Sequence, residues 1–158
     1  MGRYLAFLLG FCAWQVGASC ENVETVPHLT SSYAAGWGID QRNTRYQPKS
    51  SIDAGNAAKL ALKWVYGLAN PAPRSYPLVT EDTIFVGDGG RGLVALARET
   101  GCERWLFEHE GDIASAILQG QIGERHILIF TDRTRGVFAV DSANGELVWH
   151  AIVSDEPV

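Results

Sequence analysis

Methionine is almost missing from this chain: there is one among 158 residues, the first. Cysteine is scarce as well, at three: Cys12, Cys20 and Cys102. Three cysteines make no disulfide framework, and none has the spacing of a zinc site or a haem-attachment motif. A surplus of positive charge is also missing. Thirteen Lys and Arg stand against 18 Asp and Glu, for a net charge of −5. Phosphate recognition needs clustered cations, so nucleic acid is excluded as the main partner. His109, His126 and His150 show no metal-ligand spacing and are read as exposed or satisfied strand residues. The stretch 87–92, Gly-Asp-Gly-Gly-Arg-Gly, lacks the Gly-Lys-Ser/Thr ending of a phosphate loop, and a strand pattern follows it. It reads as a hairpin turn. With 46% apolar and 20% charged residues, disorder is not expected either.

No apolar run reaches the roughly 20 residues that a spanning helix needs. The run at residues 4–16 follows Arg3 and leads into Gly17, Ala18 and Ser19. That is the layout of a secretory signal peptide over residues 1–20, which implies a periplasmic or secreted protein. An uncleaved membrane anchor is the alternative. Cleavage after Ala18 fits. So does a lipoprotein box ending at Cys20, although Gly17 stands where that box usually has a branched aliphatic residue. If Cys12 leaves with the signal, Cys20 and Cys102 remain. They could pair in an oxidising compartment, but Cys102 is read first as a half-buried strand residue.

What the chain has in abundance is glycine, at 17 residues, and the glycines take part in a repeat. Asp88, Gly92, Ala95, Gly101 and Trp105 recur 44 residues later as Asp132, Gly136, Ala139, Gly145 and Trp149. Leu60, Leu62 and Trp64 echo the end of the same unit. Within each unit, short apolar runs alternate with turn residues. Around the first copy these are Pro77 to Val79, Ile84 to Val86, Gly92 to Leu96 and Glu103 to Phe107, with a tight turn at Thr100 and Gly101. Four short strands make one antiparallel meander. Such a sheet cannot bury both faces alone and must stack on copies of itself. At a period of 40–50 residues, radial stacking gives a propeller. The expectation is therefore an all-β partial β-propeller of about two four-stranded antiparallel blades. Repeat units cover about 76–108 and 114–152, and strand 60–66 belongs to an adjoining blade. An irregular or briefly helical extension over 21–58 precedes the blade region, 59–158. Trp105 and Trp149 are expected to cover blade junctions, where a flat ring buries a large area.

The stretch 136–149, Gly-Val-Phe-Ala-Val-Asp-Ser-Ala-Asn-Gly-Glu-Leu-Val-Trp, resembles the tryptophan-docking repeat of quinoprotein dehydrogenases. The stretch 92–105 resembles it too, with Ala97 where the second copy has Asp141. Residues 36–46 with Ile52, Asn56 and 60–64 are similar to the opening segment of that family. The phrases 101–105 and 123–126 point to its polyvinyl-alcohol dehydrogenase-like branch. The resemblance covers roughly residues 34–158. It implies a propeller built around pyrroloquinoline quinone (PQQ), usually with calcium beside the quinone, acting on alcohols or sugars in the periplasm and passing electrons to a cytochrome.

The chain also departs from that pattern. About two blades are present. There is no adjacent Cys-Cys pair, and Ala114 stands where an arginine often meets the quinone carboxylates. The family's calcium ligands and catalytic aspartate come from later blades. The resemblance therefore carries over no catalytic residue, no metal ligand and no assigned cofactor-binding residue. Arg74 and Ser75, before the first inner strand, are candidates to face a ligand. Asp132 and Arg133 could line a channel, although a salt bridge within the turn is the simpler reading. The resemblance implies the N-terminal portion of a PQQ-dependent alcohol dehydrogenase-like protein that is not competent alone, with further blades or copies of itself as partners. The alternative is a non-enzymatic propeller scaffold, or a lipoprotein of the outer-membrane assembly type.

Overall fold

The computed structural model describes residues 20, 37–40, 42–48, 50–70, 74–133 and 136–153. The signal-peptide reading over residues 1–20 lies outside these except for Cys20. So do residues 21–36 of the 21–58 extension, with 41 and 49.

Among the described residues, eight strands form two sheets, each an antiparallel meander in chain order. The first blade holds β1 (Leu78–Val79), β2 (Thr83–Asp88), β3 (Gly92–Ala97) and β4 (Glu103–Glu108). The second holds β5 (Leu118–Ile122), β6 (Arg125–Thr131), β7 (Gly136–Asp141) and β8 (Leu147–Ile152). Ahead of them lies one turn of 3-10 helix, Ala57–Lys59. The 44-residue repeat is thus two copies of one sheet. The stretch 87–92 closes the β2–β3 hairpin, with the Arg91 amide donating to the Asp88 carbonyl at 3.0 Å.

Strand character follows burial. β3 is buried along its whole length, and β2 alternates before its last two residues are buried as well. These middle strands are sandwiched and carry the apolar runs. Both sheets slip register at one equivalent place, between Ala95 and Leu96 and between Ala139 and Val140. Each slip leaves one extra residue on the outer strand, as in a β-bulge. It brings Trp105 opposite Ala95, and Trp149 opposite Ala139. Alanine suits these rows because its short side chain leaves room for the ring. Across Ala95, Phe85 meets Trp105 with ring centroids 5.6 Å apart.

The core lies between the blades. Leu78, Phe85, Leu93 and Ala95 of the first meet Leu128, Phe130 and Val140 of the second, with Ile113 and Ile117 from the connection. Phe107 packs against Phe130 and Phe138 at 5.9 and 6.2 Å between centroids. At the inner end, Tyr76 and Ala116 form a parallel bridge and Ile113 pairs with Asp132. These bridges set the starts of the two innermost strands side by side.

The tryptophans at the junctions obey one geometry. Trp105 donates its indole N–H to the Ser142 carbonyl at 3.2 Å and lies under Gly145. A Cβ there would stand 2.6 Å from the ring, and the glycine has φ +77°. Trp64 donates to the Arg98 carbonyl at 3.0 Å and lies under Gly101 (φ +76°), where a Cβ would stand 2.7 Å from the ring. Residues 60–66 therefore sit where the last strand of a preceding blade would be. They are not a strand as expected, however: among the described residues they make no ladder. An extended segment becomes a strand only when a neighbour takes its backbone hydrogen bonds.

A second correction concerns Cys102. It is buried in the turn before β4 and forms a disulfide with Cys20, Cα to Cα 5.5 Å. With its sulfur in that bond, Cys20 has none to offer for the thioether of a lipoprotein.

Candidate functional site

The inner ends of the blades enclose an open concavity of about 590 Å³. Its lining collects four positions noted from the sequence: Arg74, Ala114, Asp132 and Arg133, with Thr131 and Val153 beside them. The connections between strands deliver them there. Arg74 precedes β1, Ala114 precedes β5, and Asp132 and Arg133 follow β6. The Ala114 amide donates to the Thr131 carbonyl at 3.0 Å, and the Arg133 amide donates to the Asp112 carbonyl at 3.0 Å. The Ser115 hydroxyl accepts from the Thr131 amide at 2.8 Å. Ser75, next to Arg74, turns inward, and its hydroxyl is buried without a hydrogen-bond partner.

Asp132 is not the partner of Arg133 in a turn salt bridge. Its side chain is fully buried, and its Oδ2 lies 2.8 Å from His109 Nε2, just beyond β4 of the first blade. Its Oδ1 accepts from the Gly136 amide at 2.8 Å. A carboxylate can only accept, so the proton of that pair sits on the imidazole Nε2. Asp132 is thus a joint between blades, fixed at both oxygens, and it holds the turn that carries Arg133. Its repeat counterpart Asp88 is buried equally. There Oδ1 accepts from the Ala69 amide at 2.7 Å, and Oδ2 lies 3.6 Å from Arg91 Nη1. In both copies, a buried acid at the end of the second strand anchors chain from outside its own sheet. Sequence reasoning found the acids by their shared offset but missed this role. The offset between two buried acids is the signal that could have given it.

His126 lies on β6, and His150 lies on β8, where it stacks on Phe138. Among the described residues no group of three or more His, Cys, Asp or Glu could hold a metal ion.

Residues 35–132 match the family model of the glucose/ethanol/alcohol dehydrogenase β-propeller domain, the PQQ family. The chain belongs to that family. Among curated proteins it is 28% identical over 126 residues to a polyvinylalcohol dehydrogenase of Sphingopyxis sp. (strain 113P3), covering 77% of this chain and 19% of that protein. It is 25% identical over 146 residues to another from Pseudomonas sp., covering 89% and 23%. A quinohemoprotein alcohol dehydrogenase of Comamonas testosteroni is 25% identical over 163 residues, with 95% and 23% covered. The chain therefore spans about a fifth to a quarter of the length of these relatives. The crystal structure of the Comamonas enzyme superposes with a TM-score of 0.61 at 21% identity, over 77% of this chain and 19% of that one. A europium-containing methanol dehydrogenase gives 0.63 at 18% identity, over 78% and 23%. These likenesses agree with the propeller reading of the fold.

The residues of the concavity fit one part of the family's cofactor. PQQ carries carboxylates at its edge, and Arg74 and Arg133 are the cations that line the space. A guanidinium matches a carboxylate in shape and charge, and both arginines are exposed to the space. Ala114 offers no cation, and the described residues offer no calcium cage.

Proposed function

We propose that this chain supplies two blades of a PQQ-dependent alcohol dehydrogenase-type propeller in the periplasm, and that these blades are not catalytically competent alone. The carrying observation is the outer strand, β8. Trp149 on it is 37% exposed, and Leu147, Ile152 and Val153 of the same stretch are exposed as well. It occupies the place in its blade that Trp105 occupies in the first, but among the described residues no glycine turn lies over it. A ring needs at least about four blades to close, so further blades from outside the described residues are the expected partners.

In the completed ring, the bound quinone would supply the two-electron oxidant. This chain's residues bind and orient. Arg74 and Arg133 hold the carboxylate edge. The Asp132–His109 pair fixes the turn bearing Arg133. The apolar core behind the concavity keeps water from one side. The disulfide agrees with an oxidising compartment. Acceptance of electrons by a cytochrome belongs to the whole ring.

The second reading is a non-enzymatic propeller scaffold. Ala114 favours it, because one carboxylate contact is lost at the site itself. Its lipoprotein form has no support once Cys20 is bridged. Titration of the exported chain with PQQ and calcium, followed by tryptophan fluorescence, separates the readings. The first expects no saturable quenching by the two blades alone, and quenching that R74A or R133A weakens once further blades are joined. Absence of quenching from a folded, completed ring would overturn it in favour of the scaffold.

A further inference from the structure

The junction between the two blades has two unlike halves, and the repeat carries a copy of each half to the outside of the pair. Leu93, Ala95 and Trp105 form the half on the first blade. Forty-four positions on, the second blade has Val137, Ala139 and Trp149. Phe130, Phe138 and Val140 form the half on the second blade, and their counterparts on the first are Val86, Val94 and Leu96. By that match, the Trp149 side of one chain fits the Val94 side of another. The two sides differ in access. Trp149 is 37% exposed, whereas Val94 and Leu96 are 0% and 2% exposed. Residues 63–70 run along the first blade there. Beyond one end of β3, Trp64 lies under Gly101 and donates to the Arg98 carbonyl, and Lys63 pairs with Glu99. Beyond the other end, the Ala69 amide donates to Asp88 Oδ1 at 2.7 Å. Between them Tyr66 donates to Glu103 Oε1 at 2.5 Å and accepts from Arg91 at 2.7 Å. Trp64, Tyr66 and Leu68 are partly buried, while Val65, Gly67 and Ala69 are exposed. That is the alternation of a strand lying with one side on the blade.

We infer that residues 63–70 are a built-in cap, which fills the Gly101 docking site from within the chain and keeps the Trp149 side of a second copy out of it. Occupancy decides the matter. A Cβ on Gly101 would already stand 2.7 Å from the Trp64 ring, so the turn has room for one indole. Trp149 of another copy would need that same place, as Trp105 needs the place under Gly145. Without the cap, copies would meet head to tail, unlike face on unlike face. Such contacts run on into rings or open fibres, and repeat proteins stop them with atypical terminal units. Trp64 also holds its site at the high effective concentration of a tethered group, which a separate copy lacks. The Trp149 side is therefore left for a blade whose glycine turn is vacant, and not for a copy of this chain. None of this depends on quinone binding.

The test is sedimentation velocity of the full chain purified after export, over a concentration series, for the parent, W64A and W64A/W149A, with circular dichroism to confirm the fold. The parent is expected to sediment as a monomer. W64A should associate as concentration rises, to an average mass at least about double that of the parent. Adding W149A should return it to the monomer. Should W64A fail to fold, K63A combined with Y66F loosens the cap with Trp64 kept, and should give a smaller rise that W149A again cancels. A folded variant of either kind that stays monomeric throughout would overturn the inference. So would association of W64A that W149A leaves unchanged, or a parent that already associates through Trp149 as strongly as W64A does.

Discussion

Glycine and tryptophan act as pairs at the residue scale. Gly145 is needed twice over: its φ is +77°, and a Cβ there would stand 2.6 Å from the Trp105 ring. Gly145→Ala should therefore cost about 2–4 kcal/mol, combining backbone strain with a forced shift of the ring. Gly123 has φ +61° but open space around it, so Gly123→Ala should cost about 1 kcal/mol. Urea unfolding of the two variants checks the contrast, and equal losses would contradict it. The tryptophans allow a similar comparison. Trp105 packs against the core, and its N–H is bonded. Trp105→Ala should cost about 3–5 kcal/mol. Trp149→Ala, where over a third of the ring is already in water, should cost less, about 1–2 kcal/mol in the same assay.

Residues 60–66 and the blades differ in how their elements were legible. The blade strands could be read because burial writes a pattern, and the 44-residue offset of five unlike residues fixes where each strand begins. Residues 60–66 carry the same end-of-unit phrase, so their place was legible. Their state was not, because strand formation depends on a partner that the local pattern does not contain. The disulfide was open for a related reason: two cysteines 82 positions apart give no geometry until the fold brings them together. Asp132 was seen, but its ionic partner was read within its own turn; it is His109, just beyond β4 of the other blade, while the turn supplies only the Gly136 amide.

The hydrogen-bonded cluster of Tyr66, Glu103 and Arg91 predicts a pH effect for this element. Burial, then the hydrogen bond to the Glu103 carboxylate, pushes the Tyr66 phenol up to about 12. The unfolded phenol releases its proton near pH 10. Above that, the folded chain binds more protons than the unfolded one, so stability falls as pH rises from about 10 to 12. The hydrogen bonds from Arg91, and next from Tyr66, hold Glu103 below the usual carboxylate range. Its contribution is present at neutral pH and is lost on acidification below about 4.5. Tyr66→Phe should remove its share of the alkaline loss. A pH series of chemical denaturation midpoints on both chains checks this. Identical alkaline slopes would show that Tyr66 carries none of the effect.

At the scale of the molecule, one repeated junction explains both what is folded and what is left open. Trp64 under Gly101 and Trp105 under Gly145 are two copies of the same joint, and Trp149 presents the third without a cover among the described residues. The most direct measurement is to extend the chain after Val153 with a duplicate of residues 110–153 as an added blade, and to compare the emission of Trp149 and the unfolding midpoint with those of the parent. The account predicts a blue shift that disappears in Trp149→Phe, together with a higher midpoint, because the added glycine turn buries the ring. An added blade that folds while the quencher accessibility of Trp149 stays as it is in the parent would contradict the claim that β8 presents an uncovered blade junction.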